Sequence, residues 1–224
     1  MNHLFLLHEI VEYLHFQFPR ASIGISGSIA NNTFKESSDI DLLFVNETIL
    51  NAYSISFYYK GISVSIFVFS LNFLSQNYNR ILYGFHNMPS IFILQSNIIY
   101  DSTKIISVMK RYVFDILQQR KILRHLLIEE LKKGISNRLE TTNSNALYKK
   151  KKSLYWVCKK MIDIFFLQNY PDKVTTKKEG REPFILLKEY SPNLFLLMSD
   201  ILPYKENSLD LFFKESLIKK IKEV

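Results

Sequence analysis

The stretch Ile23–Val45, IGISGSIANNTFKESSDIDLLFV, joins two apolar runs through a polar segment and decides the expected fold. The first run ends at Gly27-Ser28, and the second follows an Asp-Ile-Asp triplet at 39–41. Successive side chains of a strand point to opposite sides, so Asp39 and Asp41 are predicted to share one face. Two neighbouring carboxylates beside apolar residues repel each other unless a cation lies between them. Because Mg²⁺ prefers carboxylate oxygens, the pair predicts a magnesium site.

Gly27 and Ser28 form the second half of the expected site. A glycine has no Cβ, so the backbone there can approach a bulky anion closely, and the serine hydroxyl can donate to a phosphate oxygen. A short helix beginning after Ser28 is expected to point its first amides at the same anion. The stretch therefore predicts a strand, a phosphate-binding turn, a short helix and a metal-bearing strand. The alternative is an ordinary turn beside two solvated aspartates.

The spacing of these residues resembles the signature of the DNA polymerase β-like nucleotidyltransferase superfamily, whose minimal and aminoglycoside-type members carry Gly-Ser, a short spacer and Asp-x-Asp. Here the spacer is Ile29–Ser38. The resemblance implies that Gly27, Ser28 and Ser38 bind the nucleoside triphosphate. It also implies that Asp39 and Asp41 are catalytic residues and metal ligands.

One position departs from the family pattern. The resemblance predicts a third carboxylate on a later strand, and in the matching segment, Gly61–Phe67, Ser65 stands at that position. A serine can neither help to hold a second metal ion nor accept the proton of the attacking hydroxyl. General-base assistance contributes roughly two to four orders of magnitude in rate. The sequence therefore predicts a slow enzyme or a base supplied from elsewhere.

The C-terminal half offers carboxylates that could replace this base, since aminoglycoside-type relatives draw one from their C-terminal domain. Glu130 is the first candidate together with Glu129, followed by Asp115 and Asp163. The alternative for each is a surface carboxylate paired with a neighbouring lysine.

A run of four lysines, 149–152, is the densest positive stretch of the chain. Lysines that follow one another fan around a helix, so only one or two can face a cleft. Lys149 is predicted to bind the β- and γ-phosphates, with Lys159 or Lys160 as alternatives. A solvated helix face explains the run equally well.

Apolar periodicity predicts an α/β part followed by a helical part. The first part is expected to begin with a helix that ends before Pro19. A hairpin over Tyr53–Phe69 and a helical stretch over Leu71–Phe85 are expected to follow. A short strand and turn are then predicted over Asn97–Ser102, where Asp101 caps the next helix. The fold class is thus α+β, and the resemblance implies a small mixed-sheet nucleotidyltransferase palm (1–105) followed by an all-α helical bundle (106–224).

The helical part is expected to contain a helix that ends at Gly134, a long helix over Ala146–Leu167, and two or three short helices within Pro183–Val224. Asn137–Asn145 is predicted to be a linker.

Composition narrows the class of protein. The 224 residues are 47% hydrophobic, which is enough for a sizeable core, and the formal net charge is +8. A single cysteine, Cys158, rules out an intramolecular disulfide and fits a reducing compartment. Neither a basic leader nor a membrane-length apolar run is evident, so the cytoplasm is expected. Nucleic acid is an unlikely partner on this view, because no RRM, KH or OB module is recognisable.

The resulting functional expectation is a Mg²⁺-dependent nucleotidyltransferase that moves AMP from ATP, or another nucleoside monophosphate from its triphosphate, to a hydroxyl. The resemblance implies an aminoglycoside-like or other small hydroxylated acceptor. A protein hydroxyl, as in antitoxin-type nucleotidyltransferases, is the second possibility. An impaired member that only binds nucleotide or a partner protein is the third, and the chain is expected to be a monomer or a homodimer.

Overall fold

The computed structural model describes residues 3–85, 87–141, 147–174 and 184–201. The chain divides into two compact units. The first comprises Met1–Leu82 and Asn87–Ile116, and the second comprises Tyr83–His86 and Leu117–Val224. The division between 105 and 106 remains a sequence prediction.

The first unit contains five strands and five short or medium helices, and it ends in the first part of a long helix. Its elements in chain order are α1 (His3–Gln17), β1 (Ser22–Ser26), α2 (Gly27–Ala30), β2 (Ile40–Val45), β3 (Tyr53–Tyr59), β4 (Ile62–Phe69), α3 (Phe73–Gln76), α4 (Tyr78–Tyr83, of which Tyr83 is in the second unit), α5 (Met88–Gln95), β5 (Asn97–Tyr100) and α6 (Ile105–Thr141, which enters the second unit at Leu117).

The five strands form one mixed sheet in the order β3-β4-β2-β1-β5. β1 is antiparallel to both β2 and β5, β3 is antiparallel to β4, and β2 runs parallel to β4. The order places β2 at the centre of the sheet. It also places the end of β1, where Gly27 follows, beside the beginning of β2.

The two faces of the central strand β2 carry different residues. Ile40, Leu42 and Phe44 join the same buried cluster as Leu6 and Ile10 of α1. Strand alternation therefore turns Asp41 towards the opposite face of the sheet. On β4 that face carries Phe67, whose ring lies 4.1 Å from the ring of Phe92 in α5. The sheet is thus covered on both sides, and Asp41 is on the α5 side.

The second unit is built from helices: the rest of α6, α7 (Leu147–Asn169), α8 (Phe184–Tyr190) and α9 (Pro192–Ile201). The prediction that a helix ends at Gly134 is wrong, because α6 continues for seven residues beyond it. Buried Leu131, Ile135 and Leu139 keep the helical period across that point. Trp156 of α7 contacts the bare face of Gly134, 3.4 Å from where a Cβ would lie. Beyond Ile201, the predicted short helices lie outside the described residues.

A buried arginine fixes the loops of the second unit. Arg120 is 3% exposed and donates to four backbone carbonyl groups, those of Gly84, Tyr170, Pro171 and Lys173. Burial lowers its pKa to about 10, which still leaves the guanidinium charged at neutral pH. A planar fork of donors suits this role, and lysine could not supply it.

These elements confirm the predicted α+β class, with a small mixed sheet followed by a helical region. Among the described helices, none combines the length and apolar character needed to cross a bilayer.

Candidate functional site

Gly27 and Asp41 are in direct contact at the end of β1. Antiparallel pairing sets Ser26 opposite Asp41, so Gly27 turns away beside the carboxylate. A Cβ added to Gly27 would overlap Asp41 Oδ2 and lie 3.3 Å from its Cγ. Gly27 also has φ +72°, a backbone conformation that residues other than glycine adopt less readily. Both observations favour glycine at this position, and the contact brings together two residues that lie 14 positions apart.

Ser28 follows in α2 with its hydroxyl oxygen in an unusual position. Oγ of Ser28 is buried and has no hydrogen-bond partner among the described residues. Buried hydroxyl groups are normally hydrogen-bonded, so an isolated one calls for an explanation. The backbone of the turn is well held, since the carbonyl of Ser28 accepts the Thr33 N–H at 2.9 Å. A ligand oxygen near Ser28 would give this hydroxyl a partner.

Ser38 and Asp39 lie just before β2, and three hydrogen bonds hold Ser38. Its Oγ accepts the N–H of Lys35 at 2.8 Å, its own N–H donates to the Lys35 carbonyl, and its carbonyl is 2.9 Å from Nε2 of His3. The predicted nucleotide ligand Ser38 therefore shapes the loop as well. Asp39 is exposed, whereas Asp41, the second residue of β2, is only 3% exposed.

Ser65 lies next to Asp41 on the neighbouring strand. Parallel pairing of β2 with β4 sets the two residues opposite each other, which places their side chains on one face of the sheet. Oγ of Ser65 is 3.1 Å from Oγ of Ser56 on β3. The position beside Asp41 thus carries a pair of hydroxyl groups where the resemblance predicts a carboxylate.

The donor set of this corner suits a hard cation bound together with a phosphate. Among the described residues, no group of three or more His, Cys, Asp or Glu side chains could hold a metal ion by itself. Mg²⁺ typically takes one or two protein carboxylates and completes its shell with water and substrate phosphates. The buried carboxylate of Asp41, the exposed one of Asp39 and the isolated hydroxyl of Ser28 fit that requirement. The predicted Mg²⁺ would take Asp39 and Asp41 as its protein ligands.

The two predicted site residues of the C-terminal half lie in the second unit. Glu130 is exposed on α6 and accepts a hydrogen bond from the hydroxyl of Tyr83 at 2.6 Å. Lys149 is exposed near the start of α7. Their roles as base and phosphate ligand remain predictions.

The two aspartate candidates have structural partners, and Glu129 is exposed on α6. Asp115 forms an exposed ion pair with Arg111 at 3.1 Å. Asp163 is 1% exposed, pairs with Lys160 at 2.9 Å and accepts the N–H of Phe85. Burial raises the pKa of Asp163 against the opposing effect of Lys160. These contacts place Asp163 in the interior of the second unit, where Lys160 and the Phe85 N–H are its partners.

Asp101 caps α6, as the sequence predicts. Its carboxylate accepts the backbone N–H groups of Ile106 and Ser107 at 3.1 and 3.0 Å. Burial favours the neutral acid, but hydrogen bonds from Ser22, Ser107 and these amides outweigh it and lower the pKa of Asp101. The polar groups at this end of α6 are therefore used for capping.

Sequence reasoning missed three residues that support the site: His3, Ser56 and Asn97. Asn97 of β5 donates from Nδ2 to the carbonyl of Ala30 at 2.8 Å, which holds the end of α2. His3 reaches Ser38 from 35 positions away. The signal for Ser56 was available in the hairpin, since alternation and the Lys60-Gly61 turn set it opposite Ser65. His3 and Asn97 had no such local signal.

Comparison with known proteins supports the predicted family resemblance. Residues 7–63 match the family model of the nucleotidyltransferase domain. No curated protein matches the chain. Among solved structures, a nucleotidyltransferase-like protein from Exiguobacterium sibiricum is similar to this chain, with a TM-score of 0.51 and 11% sequence identity. The superposition covers 96% of this chain and 73% of that protein's chain. At that identity the likeness shows the fold alone.

The matched segment holds β1, α2, β2 and β3, and with them the contact between Gly27 and Asp41. Ser65 and the whole second unit lie outside it. The match supports nucleotidyl transfer as the general function. The predicted family resemblance is therefore confirmed: residues 7–63 of this chain are similar to the nucleotidyltransferase domain, and they include Gly27, Ser28, Asp39 and Asp41.

Proposed function

We propose that this chain is a Mg²⁺-dependent nucleotidyltransferase that moves a nucleoside monophosphate, AMP from ATP, to a hydroxyl group of an acceptor. The observation that carries the proposal is the buried carboxylate of Asp41 packed against Gly27, the residue before Ser28, whose buried hydroxyl has no hydrogen-bond partner among the described residues. A phosphate group held at the Gly27-Ser28 turn would be repelled by this carboxylate unless a cation lay between them. The contact between Asp41 and Gly27 is therefore best explained by a metal-bound nucleotide.

Each residue of the corner has a part in the proposed reaction. Gly27 leaves room for the carboxylate of Asp41, and Ser28 donates its hydroxyl proton to a phosphate oxygen. Asp39 and Asp41 would hold Mg²⁺, which supplies neutralisation of phosphate charge when bound. The acceptor oxygen forms a bond to the α-phosphorus, the bond from that phosphorus to the β-phosphate bridging oxygen breaks, and pyrophosphate leaves.

The proton of the acceptor hydroxyl must go to a base, and Ser65 cannot take it at neutral pH. Glu130 remains our proposed base from the helical unit, and Lys149 our proposed ligand for the β- and γ-phosphates. A small acceptor such as an aminoglycoside-like compound is the one that the family resemblance implies, with a protein hydroxyl as the second possibility.

The pair of hydroxyls Ser56 and Ser65 favours a second candidate function. A site that keeps its nucleotide ligands but lacks the third carboxylate can bind nucleotide, or a partner protein, without turnover. This candidate predicts nucleotide affinity with no transfer to any acceptor.

Incubation with ATP labelled at the α-phosphate, Mg²⁺ and a panel of hydroxylated compounds tests the proposal. Transfer of label with release of pyrophosphate, abolished by Asp41→Asn, is the expected result. Binding of nucleotide without label transfer would favour the second candidate.

A further inference from the structure

Positive charge is concentrated in the second unit of the chain. The first unit has seven Lys and Arg against eight Asp and Glu, whereas the second has 22 against 13. The formal net charge of +8 therefore arises entirely from the helical unit. A field of this kind attracts anionic partners and repels cationic ones.

Three of these 22 positive residues lie on one face of α7. Lys149, Lys152, Tyr155 and Lys159 are all exposed, and at 3.6 residues per turn they fall within about 120° of the helix circumference. With a rise of 1.5 Å per residue, the lysines at the two ends are about 15 Å apart along the axis. We call these four residues the α7 basic face.

In the part of the chain that the structure describes, no carboxylate forms an ion pair with the α7 basic face. The one acidic residue of α7, Asp163, is buried with Lys160 as its partner. Exposed cations that lack carboxylate partners remain available to an external anion.

An aromatic side chain lies among these lysines. Tyr155 is 57% exposed. The next residue, Trp156, has the ammonium group of Lys160 over its ring, 6.0 Å from the ring centre. Proteins that bind single-stranded nucleic acid combine cations that follow the phosphates with aromatic rings on which bases stack. An isolated anionic phosphate would use the lysines alone, whereas a single strand could also stack a base on the exposed part of the Tyr155 ring.

We propose that the α7 basic face binds single-stranded RNA. A membrane surface is disfavoured, because the apolar face of α7 is occupied by the core of its own unit, with Val157, Met161 and Ile164 buried. A polycationic acceptor such as an aminoglycoside-like compound would be repelled by this face. RNA presents both the phosphates and the stacking surfaces that the face can use.

The test is a fluorescence anisotropy titration of a labelled single-stranded RNA of mixed sequence with the full chain, without nucleotide or Mg²⁺, at several KCl concentrations. Because neither is present, the result does not depend on nucleotidyl transfer. The double variant Lys152→Gln/Lys159→Gln removes two charges from the face. The matched control, Lys133→Gln/Lys188→Gln, removes two exposed charges elsewhere in the helical unit.

We expect the α7 double variant to lose at least tenfold in affinity and the control less than threefold. The slope of log K against log salt should become shallower by about 1.4 in the α7 variant, since each contact to a single strand contributes about 0.7. Tyr155→Ala should weaken binding by about tenfold with the salt slope unchanged, because stacking releases no counterions.

Three results would overturn the proposal. They are no RNA binding at 50 mM KCl, an equal loss of RNA affinity in the α7 and control variants, or an unchanged RNA affinity in Tyr155→Ala. Polyglutamate and vesicles of anionic lipid serve as competing probes. If either binds as tightly as RNA with the same dependence on Lys152 and Lys159, the face recognises negative charge in general and the RNA assignment is wrong.

Discussion

The carboxylate of Asp41 lies against the Cα of Gly27, in the space that a side chain on that residue would fill. Antiparallel pairing of β1 with β2 produces this contact. This contact joins the first residue of α2 to the strand that carries Asp41, so a substitution at either residue changes the surroundings of the other.

Gly27→Ala tests this contact. Alanine at φ +72° costs about 1–2 kcal/mol, and the new methyl group must also displace Asp41. We expect the affinity for ATP with Mg²⁺ to fall at least tenfold, measured by calorimetric titration. Gly61→Ala is the matched control, because Gly61 has φ +82° with no atom within 4 Å of the added Cβ. Equal affinities in the two variants would show that the contact is irrelevant to nucleotide binding.

Ser65→Asp tests the missing third carboxylate. An aspartate there would stand beside Asp41 on the parallel strand. If the missing group limits the rate, label transfer from ATP should rise by roughly two orders of magnitude or more. Ser63→Asp, two residues earlier on the same strand face, should leave the rate unchanged. An unchanged rate in Ser65→Asp, in a chain that does transfer label, would instead mean that the base is supplied from elsewhere.

His3→Ala tests how the loop before Asp39 is held. Loss of the hydrogen bond between Nε2 and the Ser38 carbonyl should reduce the free energy of unfolding by about 1–3 kcal/mol and weaken nucleotide binding. His3→Gln, which keeps a donor, should recover part of both losses. His8→Ala serves as control, because His8 is exposed and should change stability by less than about 0.5 kcal/mol. Urea unfolding curves that coincide for His3→Ala and His8→Ala would contradict this account.

Asp101→Ala tests the cap of α6 and its pH dependence. Since the folded chain lowers the pKa of Asp101 below 3.8, its contribution is present above that value and is lost as the pH falls through the folded pKa. The variant should therefore be less stable by about 1 kcal/mol at pH 7, and the difference should shrink below pH 3.8. The exposed Asp115 provides a control on the same helix. A difference that persists unchanged in acid would show that the charge of Asp101 is not what stabilises the helix.

The sequence predicts β1 and β2 well because Gly27-Ser28 and the aspartates are local signals beside apolar runs. It starts α2 after Ser28, whereas the helix spans Gly27–Ala30, and it sets Asp39 on the strand, whereas β2 begins at Ile40. It fails at Gly134, since a glycine ends a helix only when the apolar period ends with it, and here Ile135 and Leu139 continue the period. The helical stretch predicted over Leu71–Phe85 is divided into α3 and α4 at Asn77. Side-chain amides such as that of Asn77, which donates to the Phe73 carbonyl, compete with the helical backbone.

Contacts between distant residues account for what the sequence does not reveal. The hydrogen bond from His3 to Ser38 and the packing of Asp41 on Gly27 depend on how α1 and the strands are placed in three dimensions. The roles of Gly27 and Asp41 could nevertheless be predicted from the sequence, because a phosphate-binding turn favours glycine and a metal site needs a carboxylate. No local sequence pattern predicts that a buried histidine will form a hydrogen bond with a distant backbone carbonyl.

Calorimetric titration of ATP into the purified chain, with Mg²⁺ and then with EDTA, tests the central claim most directly. We expect binding that requires the metal ion and that weakens at least tenfold in Asp41→Asn, while circular dichroism shows that the variant is folded. ATP binding that is the same with and without Mg²⁺, or the same in the folded Asp41→Asn variant, would contradict the claim that Gly27, Ser28, Asp39 and Asp41 form a pocket for a metal-bound nucleotide.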